Sequence, residues 1–317
     1  MGLGAELRRG SRFRGNDGLV RSRLAAFLPL LLVACAATPS QTAAPEMDAS
    51  GPALAAACAG RDGWSDPAPP ARIAGNVHYV GTCGITALLL TSPQGHVLID
   101  GATAEAAPSI LANIRRLGFE PRDVRLLLNS HEHLDHAGGL AALKKATRSR
   151  LLVRAPARAA LETGTVDRAD PQSGAIAGNP AVAVDGMVAD GEIVRLGPLA
   201  LRAVATPGHT AGGTSWTWRT CEAGACRSFV YADSISAVSA DGYRFADHSA
   251  LVAQFRATFD RVSRLDCDVL ITPHPSASKL FERLSGQAPL ADRNACAAYA
   301  DGGRRRLDER LAKEGAR

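Results

Sequence analysis

Charge of one sign is what this sequence lacks. Its 317 residues carry a formal net charge of +5 at pH 7, yet Arg8, Arg9, Arg12, Arg14, Arg21 and Arg23 against Glu6 and Asp17 account for +4 of it. The rest of the chain is close to neutral, which removes the electrostatic footprint of a nucleic-acid binder. An apolar run long enough to cross a bilayer is also missing: Leu24 to Ala34 falls well short of the roughly 20 residues a spanning helix needs. There is no internal repeat of solenoid period, and none of the seven cysteines has zinc-knuckle spacing. What remains is 46% hydrophobic, ample for one large enzyme-sized α/β domain behind a leader.

The leader joins an arginine-rich opening to that short apolar run, the pattern of a secretory signal over residues 1–34. It closes on Leu32-Val33-Ala34-Cys35, which resembles the lipobox of bacterial lipoproteins, where the cysteine carries lipid and becomes the first mature residue. Residues 35–57, rich in Ala, Pro, Thr and Ser without an apolar period, are expected to be a disordered tether, with the catalytic domain running from 58 to 317. Six cysteines remain if Cys35 is lipidated, an even number that suits an exported protein with three disulfides. Fifteen connectivities are possible; local spacing favours Cys221 with Cys226, and order then suggests Cys58 with Cys83 and Cys267 with Cys296.

The densest chemistry lies in Asn129 to Gly139. His131, His133, Asp135 and His136 follow a short apolar strand, Val124 to Leu128, and precede Ala137-Gly138-Gly139-Leu140, which can open a helix. A strand-to-helix loop is where open α/β sheets bind ligands. In an extended or turning segment alternate residues share a face, so His131 and His133 can grip one ion while Asp135 and His136 reach a second. Neutral imidazole and carboxylate are zinc ligands. Two further apolar strands end in His209, after the Pro207-Gly208 turn, and in His274, between Pro273 and Pro275. The expected grouping is His131, His133 and His209 for one zinc, Asp135, His136 and His274 for the other. His78, His96 and His248 lack such settings and read as ordinary residues, and Trp216 and Trp218 as sheet packing. Residues 162–186, with no sustained period, form a long loop that can wall the site.

His-x-His-x-Asp-His resembles the signature of the metallo-β-lactamase superfamily, which implies a four-layer αββα sandwich. Gly63-Trp64 with Pro67, the run Gly95 to Gly101, Thr206-Pro207-Gly208-His209-Thr210, Ser215-Trp216-Thr217-Trp218, Tyr231-Ala232-Asp233-Ser234 and Pro273-His274-Pro275 extend the likeness to subclass B3 metallo-β-lactamases. It implies that Ser234 stands where sister subclasses have a metal-binding Cys and thioesterase relatives a bridging Asp. Ser234 and Ser236 are then expected to bind water or a substrate carboxylate, with Asp233 on the opposite face of the strand and structural.

Two zinc ions about 3.5–4 Å apart can share a hydroxide that is nucleophilic at neutral pH, with Asp135 as the catalytic residue that orients it. The resemblance therefore implies a monomeric, periplasm-facing hydrolase of penicillins, cephalosporins and carbapenems, tied to the membrane only through lipid on Cys35. A glyoxalase-like thioester hydrolase or a lactone hydrolase is the alternative within the fold, and a metal-binding protein without turnover the alternative outside enzymes.

Overall fold

The computed structural model describes residues 49–315. The expected signal sequence, Cys35 and most of the expected tether lie outside the described residues. The part of the tether that is described is folded: Gly51–Ala57 is helix α1, capped by the Ser50 hydroxyl, which accepts from Ala53 N at 3.3 Å, with Leu54 wholly buried. An alanine-rich stretch with few large apolar residues shows little periodicity, but alanine is the best helix former, and Cys58 at the helix end is covalently held.

The strands β1 (Ala71–Ala74), β2 (Val77–Tyr79), β3 (Leu88–Leu90), β4 (His96–Ile99), β5 (Val124–Leu128), β6 (Arg150–Arg154) and β7 (Gly186–Val188) form one sheet in that order. Pairing is antiparallel from β1 to β4 and parallel from β4 to β7. The second sheet comprises β8 (Ile193–Leu196), β9 (Leu199–Ala205), β10 (Thr214–Glu222), β11 (Ala225–Tyr231) and β12 (Val269–Ile271), again in sequence order and antiparallel except for β11 with β12. The sequence gives no periodic signal for β7 and β8, because both are short and partly exposed.

Alternation divides the strands between three cores. Val97 and Ile99 of β4 and Leu126 and Leu128 of β5 point into an inter-sheet core with Trp216, Trp218, Phe229, Tyr231, Val269 and Ile271. Leu98 and Leu127 point the other way, onto α2 (Ala107–Arg116), α4 (Leu140–Thr147) and their neighbours, through Ile110, Ile114, Leu140 and Leu143. Between α2 and α4 lies the single turn α3 (Leu134–Ala137), and after β6 comes α5 (Arg158–Thr163). Val230 and Leu270 of the second sheet pack onto α6 (Ser249–Val262) and α8 (Ala295–Gly315), through Phe255, Phe259, Val262, Ala300 and Leu307. Helix, sheet, sheet and helix are thus the four layers expected. A short helix α7 (Leu280–Leu284) seats α1, whose Gly51 lies so close to Leu284 that a Cβ there would fall 2.4 Å from its carbonyl oxygen.

The three disulfides are Cys58–Cys83, Cys221–Cys226 and Cys267–Cys296. The first holds the end of α1 to the loop after β2, the second closes the β10–β11 hairpin, and the third fastens the start of α8 beside β12.

Candidate metal centre

The site forms at one end of the two sheets, and a buried carboxylate pins its base. Asp100, just past β4 with φ 65°, accepts from Ser130 N at 2.6 Å, Ser130 Oγ at 2.7 Å and Tyr231 Oη at 2.6 Å. A left-handed backbone at a non-glycine residue is strained, and here three hydrogen bonds hold it. From the second sheet, Trp216 Nε1 donates to Asn129 O at 2.9 Å and Thr214 N to Ser130 O at 2.7 Å. Both sheets therefore fix the chain that leaves β5 and carries His131 and His133.

The six expected ligands come together. His131, His133 and His209 form a triangle of rings with centroids 4.8–5.0 Å apart, and each can offer a nitrogen within 4.8 Å of the others. Beside it, Asp135 Oδ2 lies 3.0 Å from His136 Nε2 and 3.3 Å from His274 Nε2, and the two imidazole nitrogens are 3.3 Å apart. His131, Asp135 and His136 also converge, which links the two groups. Of the extended or turning segment expected, Asp135 and His136 stand on the turning form. They occupy α3, whose helical turn swings them past His131 toward His274. Gly138 and Gly139 permit this turn, since Cβ atoms there would fall 2.4 Å from Leu134 O and 2.1 Å from Gly101 O.

Each histidine of the triangle has an outer partner. His131 Nδ1 lies 2.8 Å from Asp233 Oδ1, His133 Nε2 lies 2.9 Å from Asp170 Oδ2, and His209 Nδ1 donates to Ser236 O at 2.9 Å. A ring that donates its outer N–H has its inner lone pair free. His131 Nε2 is buried and has no hydrogen-bond partner among the described residues. Such a nitrogen is costly unless something binds it. Burial pushes the His131 pKa well down and that of His209 to about 3, so both imidazoles are neutral. Burial opposes ionisation of Asp135, but His136 and the hydrogen bonds from His136 and His274 hold its carboxyl far below the usual range. Burial likewise opposes a charge on His136, and Asp135 and Asp100 overcome it, raising that pKa to about 10. The neutral imidazoles of His131 and His209, the ionised Asp135 and the orphaned buried nitrogen of His131 fit a divalent metal, which would take the place of the proton on His136.

Asp233 corrects the expectation that it faces away from the site. Strand β11 ends at Tyr231, so strict alternation no longer governs residues 232–240, and Asp233 turns behind His131 while Ser234 lines the open side with His274. The Ser234 hydroxyl makes no hydrogen bond among the described residues. Ser236 holds His209 through its carbonyl, and its hydroxyl lies 3.4 Å from the same ring nitrogen.

Further residues to which the sequence assigns no role complete the site. Glu132, between two histidines, accepts from Thr210 Oγ1 at 2.9 Å and Gly212 N at 3.0 Å, tying this loop to the one that bears His209; burial raises its pKa against those bonds. Within the loop of residues 162–186, Asp170 and Gln172 reach His133, the latter at 3.4 Å, so the loop is a wall of the site. Trp64, 44% exposed, stands with its ring 6.3 Å from that of His274. His78 and His96 instead flank Phe119, and His248 stacks on Tyr243.

The sequence profile of the metallo-beta-lactamase superfamily matches residues 80–274. Among solved structures, the chain is similar to the metallo-beta-lactamase MIM-1 from Novosphingobium pentaromativorans, with 54% identity, 83% of this chain and 98% of that one covered, and a TM-score of 0.82. MEM-A1, a subclass B3 metallo-beta-lactamase from a soil metagenome, is 43% identical over 80% of this chain and 99% of that one, with a TM-score of 0.77. A hydroxyacylglutathione hydrolase of Rhodopseudomonas palustris (strain BisB5) is 33% identical over 137 residues, 41% of this chain. The match spans only 44% of that curated relative's length.

Proposed function

Because the chain belongs to the metallo-beta-lactamase superfamily, and its likeness to subclass B3 enzymes runs the length of those chains, we propose that it hydrolyses the amide bond of β-lactams. Penicillins, cephalosporins and carbapenems are the substrate classes. The observation that carries this reading is the six-residue cluster of His131, His133, His209, Asp135, His136 and His274, with Ser234 on its open side beside His274.

In this reading His131, His133 and His209 hold one zinc ion and Asp135, His136 and His274 a second. When bound, such ions polarise a carbonyl and lower the pKa of coordinated water to about 7. The chain supplies the orientation. Asp233, Asp170 and the Ser236 carbonyl fix the three outer imidazoles, so that their lone pairs converge without rearrangement during the reaction. Asp135, kept ionised, accepts a hydrogen bond from the attacking water and aims it at the lactam carbonyl. Water adds across the C–N bond, leaving a carboxylate and an amine. Ser234 and Ser236 donate to the substrate carboxylate, and Trp64 and the loop that bears Asp170 limit the entry of bulk water.

Export to the periplasm accords with three disulfides, which persist in oxidising compartments, and a lipid on Cys35 would hold the enzyme at the membrane. Hydrolysis of a chromogenic cephalosporin, measured with and without a chelator, tests the activity. Chelator-sensitive turnover is expected; turnover of glutathione thioesters with none of lactams would overturn the reading in favour of the thioester hydrolases.

A further inference from the structure

A cavity of about 940 Å³ leads away from Ser234, Ser236 and His274 between α8 and the segment that follows β12. Its volume is at the upper end of small-molecule pockets, more than a fused bicyclic lactam core needs. The far wall is basic. Arg305 and Arg306 of α8 line it with Lys279, all three exposed, and none of them makes a hydrogen bond or ion pair among the described residues. Other arginines of the same helix are paired, Arg304 with Asp260 at 2.8 Å and Arg310 with Glu314.

The two unpaired guanidinium groups also converge. A Cβ on Gly302 would lie 3.2 Å from Arg306 Nη1 and 3.9 Å from Arg305 Nη2, so both reach over the same small residue. Like charges brought together without a counter-charge repel, and the arrangement is relieved by an anion that accepts from both forks. Arg283 adds a fourth cation but is committed to carbonyl groups, including Leu270 O at 2.5 Å. The acid of the wall is Asp292, whose Oδ1 accepts from Asn294 N at 2.9 Å. Cations therefore outnumber acids along the wall.

We infer that Arg305 and Arg306, with Lys279, form a subsite for a second anionic group on the substrate, carried by the substituent next to the ring carboxylate. This rests on the β-lactam reading above. With the ring carboxylate at Ser234 and Ser236, the carbon beside it points along the cavity, so in a cephalosporin the C3 substituent enters the basic end. A sulfonate or carboxylate there meets the two arginines, whereas an anion on the acylamino side chain, across the bicyclic core, does not.

The test uses two cephalosporins identical except that the C3 tetrazolylthio substituent bears a methyl group in one and a sulfonatomethyl group in the other. The parent enzyme is expected to prefer the anionic compound in kcat/KM. In R305A/R306A that preference should fall about tenfold, through KM, and R305K/R306K should restore part of it. Raising the salt concentration should erode the parent's preference, as expected for exposed charges. An equal preference in parent and double variant overturns the subsite while leaving the lactamase reading intact. Failure of the parent to hydrolyse either compound overturns both.

Discussion

Asp233 Oδ1 lies 2.8 Å from His131 Nδ1, with both side chains sealed from solvent. Burial raises the Asp233 pKa well above the usual carboxylate range; once ionised, Asp233 accepts from Nδ1 of this candidate ligand and leaves the buried Nε2 free for a metal. Asp233→Ala should therefore weaken metal binding about 10- to 100-fold while the fold persists. Competition against a chromogenic chelator, with circular dichroism as the control, measures it. Unchanged metal affinity would remove Asp233 from this role.

The two groups of ligands make separable predictions. Elemental analysis should find two zinc ions per chain. His209→Ala removes a corner of the imidazole triangle and should deplete one ion, and Asp135→Asn, in contact with His136 and His274, should deplete the other. Loss of both ions together in each variant, or a stoichiometry of one in the parent, contradicts the paired-site assignment.

The serines divide between side chain and backbone. Ser236 holds His209 by its carbonyl, which substitution to alanine retains, and Ser234 has no bond to lose. S234A/S236A should keep its zinc and raise KM for penicillins about tenfold, because a hydrogen bond to a charged group contributes roughly 1.5–3 kcal/mol. Zinc loss in this variant would mean that the hydroxyls support the metal rather than the substrate.

How much of this was legible in the sequence follows from which signals are local. The gathering of the six candidate ligands was, because each closes an apolar strand or fills a dense motif, and the layers were, because Val97, Leu98 and Ile99 are apolar on both faces. Asp233 reads from the sequence as facing away, Glu132 has no role there, and the loop of residues 162–186 reads as a wall without its contact to His133: the partners of Asp233, Asp170 and Glu132 lie 102, 37 and about 80 residues away, and no spacing encodes such contacts. Helix α1 was hidden by its small residues. The turn at α3 was hidden because four residues are too few for a period; its shape is set by backbone approaches at Gly138 and Gly139.

If Cys35 carries lipid, cell fractionation should place the protein with membranes, and Cys35→Ala should release it to the soluble periplasm. The exported protein should show no free thiol, because Cys58, Cys83, Cys221, Cys226, Cys267 and Cys296 are paired. Soluble parent protein, or reactive thiols in it, would count against export with a lipid anchor.

The ligand pKa values give the metal-free protein a particular pH dependence. His209 is depressed from 6.5 to about 3 in the folded state, chiefly by burial. Below pH 6.5 the unfolded chain therefore takes up a proton that the folded chain refuses, and stability falls as the pH drops towards 3. From pH 6.5 to 5 the loss from His209 is roughly 2 kcal/mol, and His131, depressed in the same direction, adds to it. His136 has the opposite sign. Burial lowers it, but the Asp135 and Asp100 charges raise it to about 10, so its contribution is full below pH 6.5 and is lost as the pH rises through 10. Taken alone, these three groups make the chelated protein less stable on either side of about pH 6.5–7, and Glu132 and Asp233, whose pKa values burial raises, add to the loss as the pH rises. Urea unfolding of the metal-free protein at pH 5, 6.5 and 8 measures the three points. Stability that rises steadily through pH 8 would mean that His136 is neutral in the folded chain, and that the Asp135–His136 contact is not an ion pair before metal binds.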